Sequence, residues 1–481
     1  MIKHMKLVTP LALAMALAGC MSMAPDYERP VAPVAGAFPE LPKSAADAAS
    51  PVLDAAPASV AWQQFFADTR LRQLIDQALV NNRDLRISIA NIEQARAQYR
   101  ITRADRLPSV GLGISGNRQT VGEDQPIDST YSAGLQVTSF ELDLFGRVRN
   151  LSEAALAQYL ATEEARKTTQ ISLIASVANA YLQLLADEEL LRITQDTVKT
   201  RQDSDRLTQL RFDNGVASRL ELQQSRSLVE TALATLAQQQ RFRAQDINLL
   251  TLLVGQPLPA DVSAGATLAK TELPDLPAGL PSDLLANRPD IRAAEQELIA
   301  ANANIGAARA NFFPRISLTG SAGSASTELS GLFDSGTWGW SFAPQAILPI
   351  FDYGRNTATL GAARAQRDIA VARYEQSIQT AFREVADALA GQATYSEQLR
   401  AQSAVTEAEA DRFNLSDLRY RSGAASQLDL LDAQRSLFQS QQLSVNANLL
   451  RLQNQVALYR VLGGGWVEPA AQADGAPVAA R

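Results

Sequence analysis

The sequence predicts a mainly α-helical protein with a small β part, organised as two copies of one structural repeat. Four motifs recur in the same order about 205 to 208 residues apart, which indicates an internal duplication. Each copy also contains about 65 consecutive residues without proline, which favours a helix longer than those of ordinary globular domains. The paired motifs begin at Asn82 and Asn287, at Arg103 and Arg309, at Asp143 and Phe351, and at Arg211 and Arg419.

The first residues are typical of a bacterial lipoprotein signal. A basic opening precedes an apolar stretch from about Leu7 to Ala18, which runs into Leu-Ala-Gly-Cys at 17–20. This pattern predicts that residues 1–19 are removed and that Cys20 is lipidated. Several acyl chains on one residue make a durable anchor, because each buried methylene contributes about 0.8 kcal/mol. Met21 after the cysteine favours the outer membrane over the inner membrane.

The composition excludes most kinds of enzyme. Cys20 is the only cysteine, and His4, inside the predicted signal, is the only histidine. The mature chain therefore offers no imidazole general base, no histidine zinc ligand and no thiolate metal site. We predict no catalytic residues, no metal and no cofactor, and an enzyme that uses only carboxylates stays open as the weakest alternative. The net charge of -7 argues against a nucleic-acid partner.

Proline and small residues mark the boundaries between segments. Two stretches rich in proline and alanine or glycine lack a helical period, so we interpret them as connectors. The predicted segments are the removed signal (1–19), a lipidated extended segment (20–61), the first repeat (62–254), a Pro-rich equatorial connector (255–286), the second repeat (287–465) and a disordered tail (466–481).

Each repeat begins with a helix and continues with two strands. We expect helices near 69–106 and 289–313, each ended by a proline, Pro108 or Pro314, which cannot continue the hydrogen-bond ladder. Apolar and small polar residues then alternate with a period of two, which is typical of strands in a transmembrane barrel. An ordinary half-buried antiparallel sheet is the alternative. The alternating apolar residues are Val110, Leu112, Ile114, Leu135, Val137, Ile316, Leu318, Trp338, Trp340 and Phe342.

After the strands, each repeat is predicted to form a long helical hairpin. A glycine turn, at Gly215 or Gly423, reverses the chain into a second helix of about 40 residues. The apolar residues of the long helices step by three or four, which is the spacing of a coiled coil. In the second repeat this stripe consists of Tyr374, Ile378, Phe382, Val385 and Leu389.

Four strands are too few to close a barrel by themselves. A transmembrane barrel needs about eight strands, and an open sheet in lipid leaves unpaired backbone groups that cost several kcal/mol each. No apolar run after the signal reaches the roughly 20 residues of a membrane helix, so the strands would have to cross any bilayer. The sequence therefore favours several copies that share one barrel, without fixing their number.

Five motifs together resemble those of a known family: Leu17–Cys20, Trp62–Asp68, Asn287–Ile291, Leu428–Leu437 and Leu462–Trp466. The chain is similar to the outer-membrane factors of tripartite efflux pumps, in the lipidated OprM-like branch of the TolC superfamily. The resemblance implies a homotrimer whose composite transmembrane β-barrel, with four strands from each protomer, continues as a long periplasmic α-helical barrel of coiled-coil hairpins. It also implies a passive exit duct for small molecules in the lipid of the outer membrane. A periplasmic adaptor and an inner-membrane pump of the RND type would be its partners.

The resemblance further implies a gate at the periplasmic mouth, just past Gly423. Copies of two aspartates around a narrow opening would form a ring of like charge, which raises its own pKa values and attracts cations. We expect arginines to hold the ring shut and a leucine to narrow it, with a solvated helix face as the alternative. TolC carries an arginine where this chain has Ala425, so the closing bonds must differ. The implied gate residues are Tyr420, Arg421, Leu428, Asp429, Asp432, Arg435 and, in the first repeat, Glu221.

The two glycine turns resemble tips at which an adaptor docks. Gly215, Val216, Gly423 and Ala424 are small residues that would let another helical hairpin approach closely. A plain reversal of the chain is the alternative. Two other functions also stay open: a type I secretion duct for proteins, and a structural lipoprotein coiled coil that spans the periplasm.

Overall fold

The chain forms two compact units in a computed structural model, each assembled from separate stretches of sequence. The first unit consists of Met1–Ala32, Ala90–Glu164 and Ile291–Ser377, and the second of Pro33–Ile89, Ala165–Asp290 and Ile378–Arg481. The structure describes residues 22–39, 60–120, 127–259, 262–276 and 281–466. Cys20, the predicted lipidation site, lies outside these residues, as does nearly all of the predicted tail.

Helices dominate the described part of the chain, which confirms the predicted fold class. The helices are α1 (Trp62–Phe65), α2 (Thr69–Asn81), α3 (Arg83–Ala104), α4 (Arg147–Asp213), α5 (Arg219–Val254), α6 (Pro281–Asn287), α7 (Pro289–Ala310), α8 (Arg355–Arg421) and α9 (Gln427–Val461). The strands are β1 (Val110–Gln119), β2 (Asp128–Leu142), β3 (Arg315–Ser326) and β4 (Trp338–Ile347). A short 3₁₀ helix, Leu268–Lys270, and α6 lie within or next to the predicted connector.

The strands lie in the first unit and form one antiparallel sheet in the order β1-β2-β3-β4. Each strand pairs with the next one along the chain, with Val110 opposite Val137 at the start of β1 and Arg315 opposite Ile347 at the start of β3. A bulge lies in β2 just after Val137, where Ser139 has a φ of 54°. Among the described residues, β1 and β4 each have one edge without a partner strand.

The two faces of the sheet differ in chemistry. Trp338, Trp340 and Phe342 alternate along β4 and are 69%, 72% and 60% exposed. The positions between them carry small polar residues, and the hydroxyl groups of Ser321 and Ser341 hydrogen-bond across the strands at 2.7 Å. The sheet therefore has one apolar and one polar face, as the period-two alternation predicted. Other exposed apolar side chains of the sheet are Val110, Leu112, Ile114 and Leu135.

The long helices α4 and α8 have 67 residues each, which confirms the prediction from the proline-free stretches. An aspartate just before each helix stabilises its start. The carboxylate accepts a backbone N–H of the first turn, which has no partner within the helix. Asp143 accepts from Arg149 at 2.7 Å, and Asp352 accepts from Asn356 at 2.9 Å. None of the helices in the described ranges is both long enough and apolar enough to cross a membrane.

The predicted coiled-coil stripe of α8 is buried at three positions and half-buried at Phe382 and Leu389. Tyr374, Ile378 and Val385 are 1%, 3% and 0% exposed. Phe382 belongs to the second unit, where its ring stacks on Phe38 with centroids 5.1 Å apart. The stripe therefore packs against other segments of its own chain.

The first repeat opens with two helices rather than the single one we expected near 69–106. Asn82 separates α2 from α3 because it adopts an extended conformation with a ψ of 134°. Its side chain accepts the N–H of Leu85 at 3.0 Å and donates to the carbonyl of Leu253 at 2.9 Å. These bonds cap α3 and stabilise the break. The helices α3 and α7 end about one turn before Pro108 and Pro314, close to the expected positions.

Residues 22–32 of the N-terminal segment pack within the first unit without forming a helix or strand. The guanidinium group of Arg29 donates two hydrogen bonds to the Glu295 carboxylate, both at 2.7 Å. Tyr27 donates to the same carboxylate at 3.1 Å, and the Ser22 hydroxyl donates to Asn150 at 2.6 Å. These contacts fix the residues just after the predicted lipidation site to α7 and to the start of α4.

Candidate functional site at the two helical turns

Two turns in the second unit carry the predicted docking and gate residues. The chain turns from α4 into α5 at Gly215 and from α8 into α9 at Gly423, where φ is 72° and 77°. This left-handed conformation favours glycine because a Cβ atom would clash. In both turns, the N–H of the glycine donates to the carbonyl three positions before it. The N–H of the next residue donates to the carbonyl five positions before that residue, and all four bonds measure 2.8 to 3.0 Å. This is the Schellman motif, so the two repeats end their long helices in the same way.

The residue after each turn glycine is open to solvent. Val216 is 66% exposed, and Ala424 is exposed as well. In a Schellman motif an apolar residue at this position usually packs back on the helix. Here the facing position is Arg211, whose guanidinium group instead lies 5.1 Å from the ring centre of Tyr420. Val216 is thus an exposed apolar residue at the tip, and docking at the tips stays a prediction.

Glu221 and Asp429, two of the predicted gate carboxylates, lie at the starts of α5 and α9. Each forms a capping box with a serine three positions earlier, Ser218 or Ser426. The carboxylates accept the serine backbone N–H at 2.5 Å and 3.1 Å, and the serine hydroxyls accept the N–H of Glu221 and Asp429. The backbone N–H of Ser218 holds the pKa of Glu221 below its usual value, and the hydroxyl of Ser426 does the same for the pKa of Asp429. The pKa increase that we predicted for a ring of several copies is not tested by one chain.

Within one chain, Asp432 pairs with Arg412, which the sequence analysis did not single out. Arg421 pairs instead with Asp417 at 2.8 Å, and Arg435 forms no salt bridge with any residue in the described ranges. Arg412 and Asp432 lie on α8 and α9 at similar distances from the turn, so an antiparallel hairpin places them side by side. The pairing of Asp429 and Asp432 with Arg421 and Arg435 stays a prediction for an assembly of copies.

Polar side chains join the two hairpins behind the turns. Gln427 is 5% exposed, and its amide nitrogen donates to the hydroxyl of Thr208 at 3.1 Å. Gln434 donates to the hydroxyl of Ser204 at 3.0 Å. We did not predict these contacts, although two glutamines one heptad apart in the apolar stripe of α9 are a recognisable signal. Tyr420 is 7% exposed beside them, so this predicted gate residue is also part of the packing between hairpins.

A cavity of about 320 Å³ lies between the hairpins next to these residues. Tyr420 and Arg421 line it, together with Asp417 from the same helix and Asp203 from α4. Leu428 is 57% exposed on the first turn of α9. The region thus combines buried amide links, exposed charges and an exposed apolar residue within a few turns of the chain reversal. Such an arrangement can hold two hairpins together and attract ions at their ends.

Comparison with known proteins gives one consistent result. The model of the family described as outer membrane efflux protein matches residues 74–256 and 280–464, one stretch in each repeat. The chain is 50% identical over 469 residues to the probable efflux pump outer membrane protein TtgC of Pseudomonas putida, with 96% of each chain covered. It is 45% identical over 468 residues to the outer membrane protein OprJ of Pseudomonas aeruginosa, with 96% of each covered. The open state of the MtrE outer membrane channel of Neisseria gonorrhoeae has a TM-score of 0.84 at 41% identity, covering 92% of this chain and 98% of that one.

Proposed function

Because this chain belongs to the outer membrane efflux protein family, we propose that it is the outer-membrane channel of a tripartite efflux system. It is a passive exit duct for small toxic compounds, opened by a periplasmic adaptor and supplied by an inner-membrane pump of the RND type. The observation that carries the proposal is the open four-stranded sheet with an exposed apolar face, in a chain whose described part is otherwise mainly helical. Relatives named as efflux pump outer membrane proteins match it over nearly its whole length.

Several copies share the sheet in this proposal. A barrel needs about eight strands, whereas the described part of one chain supplies four in a sheet with two unpaired edges. The free edge of β4 pairs with the free edge of β1 in the next copy, and the family resemblance favours three copies. Light scattering of the detergent-purified protein tests this number. Material that is monomeric and still forms pores in a bilayer would overturn the proposal.

The apolar face of the sheet is proposed to face lipid and the polar face a water-filled lumen. Trp340 and its neighbour Ser341 offer a matched test because they lie on opposite faces. An arginine at a lipid-facing position costs roughly 2–4 kcal/mol near the bilayer centre, whereas lumen substitutions change selectivity. Trp340→Arg should reduce the amount of heat-modifiable oligomer in the membrane, and Ser341→Arg should assemble but shift ion selectivity. If both variants assemble equally well, the assignment of the faces is wrong.

The gate is proposed to lie at the turn between α8 and α9. The exposed pair of Arg412 and Asp432 joins the two helices of one hairpin there, and Arg435 lies one turn further along α9. Single-channel conductance in planar bilayers should therefore rise for Asp432→Asn and for Arg435→Gln, because each removes a charge from the mouth. Glu397→Gln is the control, since Glu397 pairs with Arg400 on the same helix, far from the turn. A conductance unchanged in both mouth variants removes the gate assignment.

The tips are proposed to bind the adaptor. Val216 is the test position, because this apolar side chain is 66% exposed at the end of a hairpin. Val216→Asp should reduce co-purification of the adaptor, while the oligomer stays intact. Leu252→Asp is the control, because Leu252 is 73% exposed near the other end of α5. If the wild type, Val216→Asp and Leu252→Asp all co-purify equal amounts of adaptor, the tips are plain chain reversals.

The lipid anchor is proposed at Cys20. Ser22 bonds to Asn150 at the start of α4 and Arg29 bonds to Glu295 on α7, so the residues that follow this anchor point are fixed within the first unit. Mass spectrometry of the purified protein should find acyl chains on an N-terminal Cys20, and Cys20→Ser should abolish them. An unmodified Cys20 would remove this part of the proposal.

A further inference from the structure

A buried arginine lies between the two hairpins of the second unit. Arg201, on α4, is 4% exposed. Its Nη1 donates to the carbonyl of Leu228 at 3.0 Å, and its guanidinium group lies 5.4 Å from the ring centre of Phe438. Its Nε is buried and has no hydrogen-bond partner. Arginine does not lose its proton in proteins, so a full positive charge is buried there.

No carboxylate within the described residues neutralises this charge by a salt bridge. Asp205 lies one turn further along α4, but its own Oδ1 is buried without a hydrogen bond. The charged group that acts on Arg201 is another cation: burial, and then the charge of Arg435, lower the pKa of Arg201. An isolated buried charge costs several kcal/mol unless an opposite charge compensates it. The local structure thus lacks one negative charge.

A cavity of about 150 Å³ adjoins the arginine. Ile193 and Phe413 contribute apolar walls, Gln434 contributes an amide, and Arg192 and Asp196 lie together at the rim as a salt bridge of 3.3 Å. A water molecule takes up about 30 Å³, so the cavity holds one small ion with a few water molecules. It is too small for most organic ligands, whose pockets measure about 300–1,000 Å³.

We propose that this cavity binds a small monovalent anion such as chloride, held by the buried guanidinium group of Arg201. The buried Nε–H without a partner and the single uncompensated charge match a monovalent ion. A phosphate or sulfate usually takes paired donors from a second cation that lines the site, and Arg192, the other arginine in this lining, is already paired with Asp196. The site is independent of the efflux function proposed above, because it follows from the packing of α4, α5, α8 and α9 alone.

The anion would stabilise the contact between the hairpins. Arg201 bonds to α5 through Leu228 and contacts α9 through Phe438, and Arg435 approaches it from α9. An anion in the cavity neutralises the repulsion between the two arginines. Chloride should therefore favour the packed arrangement of α9 against α4.

The test uses the full protein in detergent, with sodium gluconate exchanged for sodium chloride at constant ionic strength. A ligand that binds only the folded state raises Tm with its concentration. Wild-type Tm should rise with the logarithm of the chloride concentration above Kd, by on the order of 1–3 °C at ten times Kd. Arg201→Met should show no such rise. Arg206→Met, which removes a 74% exposed arginine on the same helix, should keep it.

Two results would overturn the proposal: a wild-type Tm that is the same in gluconate and chloride, or a chloride response that Arg201→Met retains. If Arg201→Met does not fold, crystals of the wild-type protein grown in bromide decide. An anomalous bromide peak within hydrogen-bond distance of the Arg201 guanidinium group supports the site, and its absence at saturating bromide rejects it.

Discussion

Replacing Arg288 by methionine should destabilise the protein far more than the same change at Arg83, its counterpart in the first repeat. The side chain of Arg288 is 8% exposed. It donates to Asp290 at 2.6 Å and to Glu384 at 2.9 Å, and its Nη1 donates to the carbonyl of Val461 at 3.1 Å. Arg83 is exposed, and its one hydrogen bond that we observe runs to the carbonyl two residues earlier at 3.3 Å.

The expected cost follows from what the arginine leaves behind. Removing one partner of a buried ion pair costs about 3–5 kcal/mol, because the other charge stays buried without compensation. Asp290 is partly exposed, and Arg460 stays 3.7 Å from Glu384, so water and a second cation compensate in part. We therefore expect the lower end, about 3 kcal/mol. An exposed substitution such as Arg83→Met stays within about 0.5 kcal/mol.

Thermal unfolding of the detergent-purified protein measures this difference. One kcal/mol shifts Tm by about 2–4 °C in domains of 150–250 residues and by less in longer chains. Arg288→Met should thus lower Tm by roughly 3–6 °C, and Arg83→Met by less than about 1 °C. The Tm of Arg288→Lys should lie between those of the wild type and Arg288→Met. Lysine keeps the positive charge but lacks the planar guanidinium group that can bond to two carboxylates at once. Equal shifts for the two methionine variants would refute the reasoning, since the repeats would then use this arginine alike.

Two further predictions concern other buried positions of the second unit. Burial, and then the hydrogen-bonded carboxyl group of Asp187, raise the pKa of Asp246 from 3.8 to about 8, so folding stability should fall as pH rises through this interval. Asp246→Asn should flatten the dependence of Tm on pH between about 4 and 8, and above about pH 8 its Tm should exceed that of the wild type. Parallel curves of Tm against pH for the two proteins would contradict this. A methyl group at Gly391 would overlap the Asn454 side chain, which donates to a carbonyl of α8 at 2.9 Å, so Gly391→Ala should lower stability by about 1–3 kcal/mol. Gly361→Ala on the same helix meets open space and should raise stability by up to about 1 kcal/mol, and Tm shifts of the same sign would count against this packing.

The sequence was sufficient for the elements because their signals are local. The proline-free stretches predicted α4 and α8 to within a residue or two, since one helix needs only compatible residues along its length. The strands followed from alternation for the same reason. The break at Asn82 could not be predicted in this way, because its side chain bonds to Leu253, far along the chain. Asparagine is compatible with a helix until that partner is known.

The candidate site was predictable as a place but not as a set of contacts. The two glycines fixed the turns, and serine followed three positions later by an acidic residue would have predicted both capping boxes. The partner of Asp432 depends on the rotation of α9 about its axis, which the pattern of apolar residues determines only coarsely. Arg421 and Arg435 were therefore reasonable partners by sequence, whereas Arg412 is the partner within the chain. Gln427 and Gln434 were missed because polar residues in a helix were taken to be solvated.

One difference between the repeats bears on how copies of the chain associate. In the first unit, the ring of Phe145 stacks on Phe313 at 4.7 Å, which joins the motif after β2 of the first repeat to the motif before β3 of the second. The repeat assigns Tyr353 to the position of Phe145 and Leu107 to the position of Phe313. Tyr353 is 91% exposed and Leu107 is 72% exposed, so the equivalent contact is missing within the chain. Suppose that the second repeat of one copy packs against the first repeat of the next copy as the first repeat packs against the second within the chain. Tyr353 of one copy then contacts Leu107 of the next. The same step pairs the free edge of β4 with that of β1, so these exposed apolar residues and the open sheet have a common explanation.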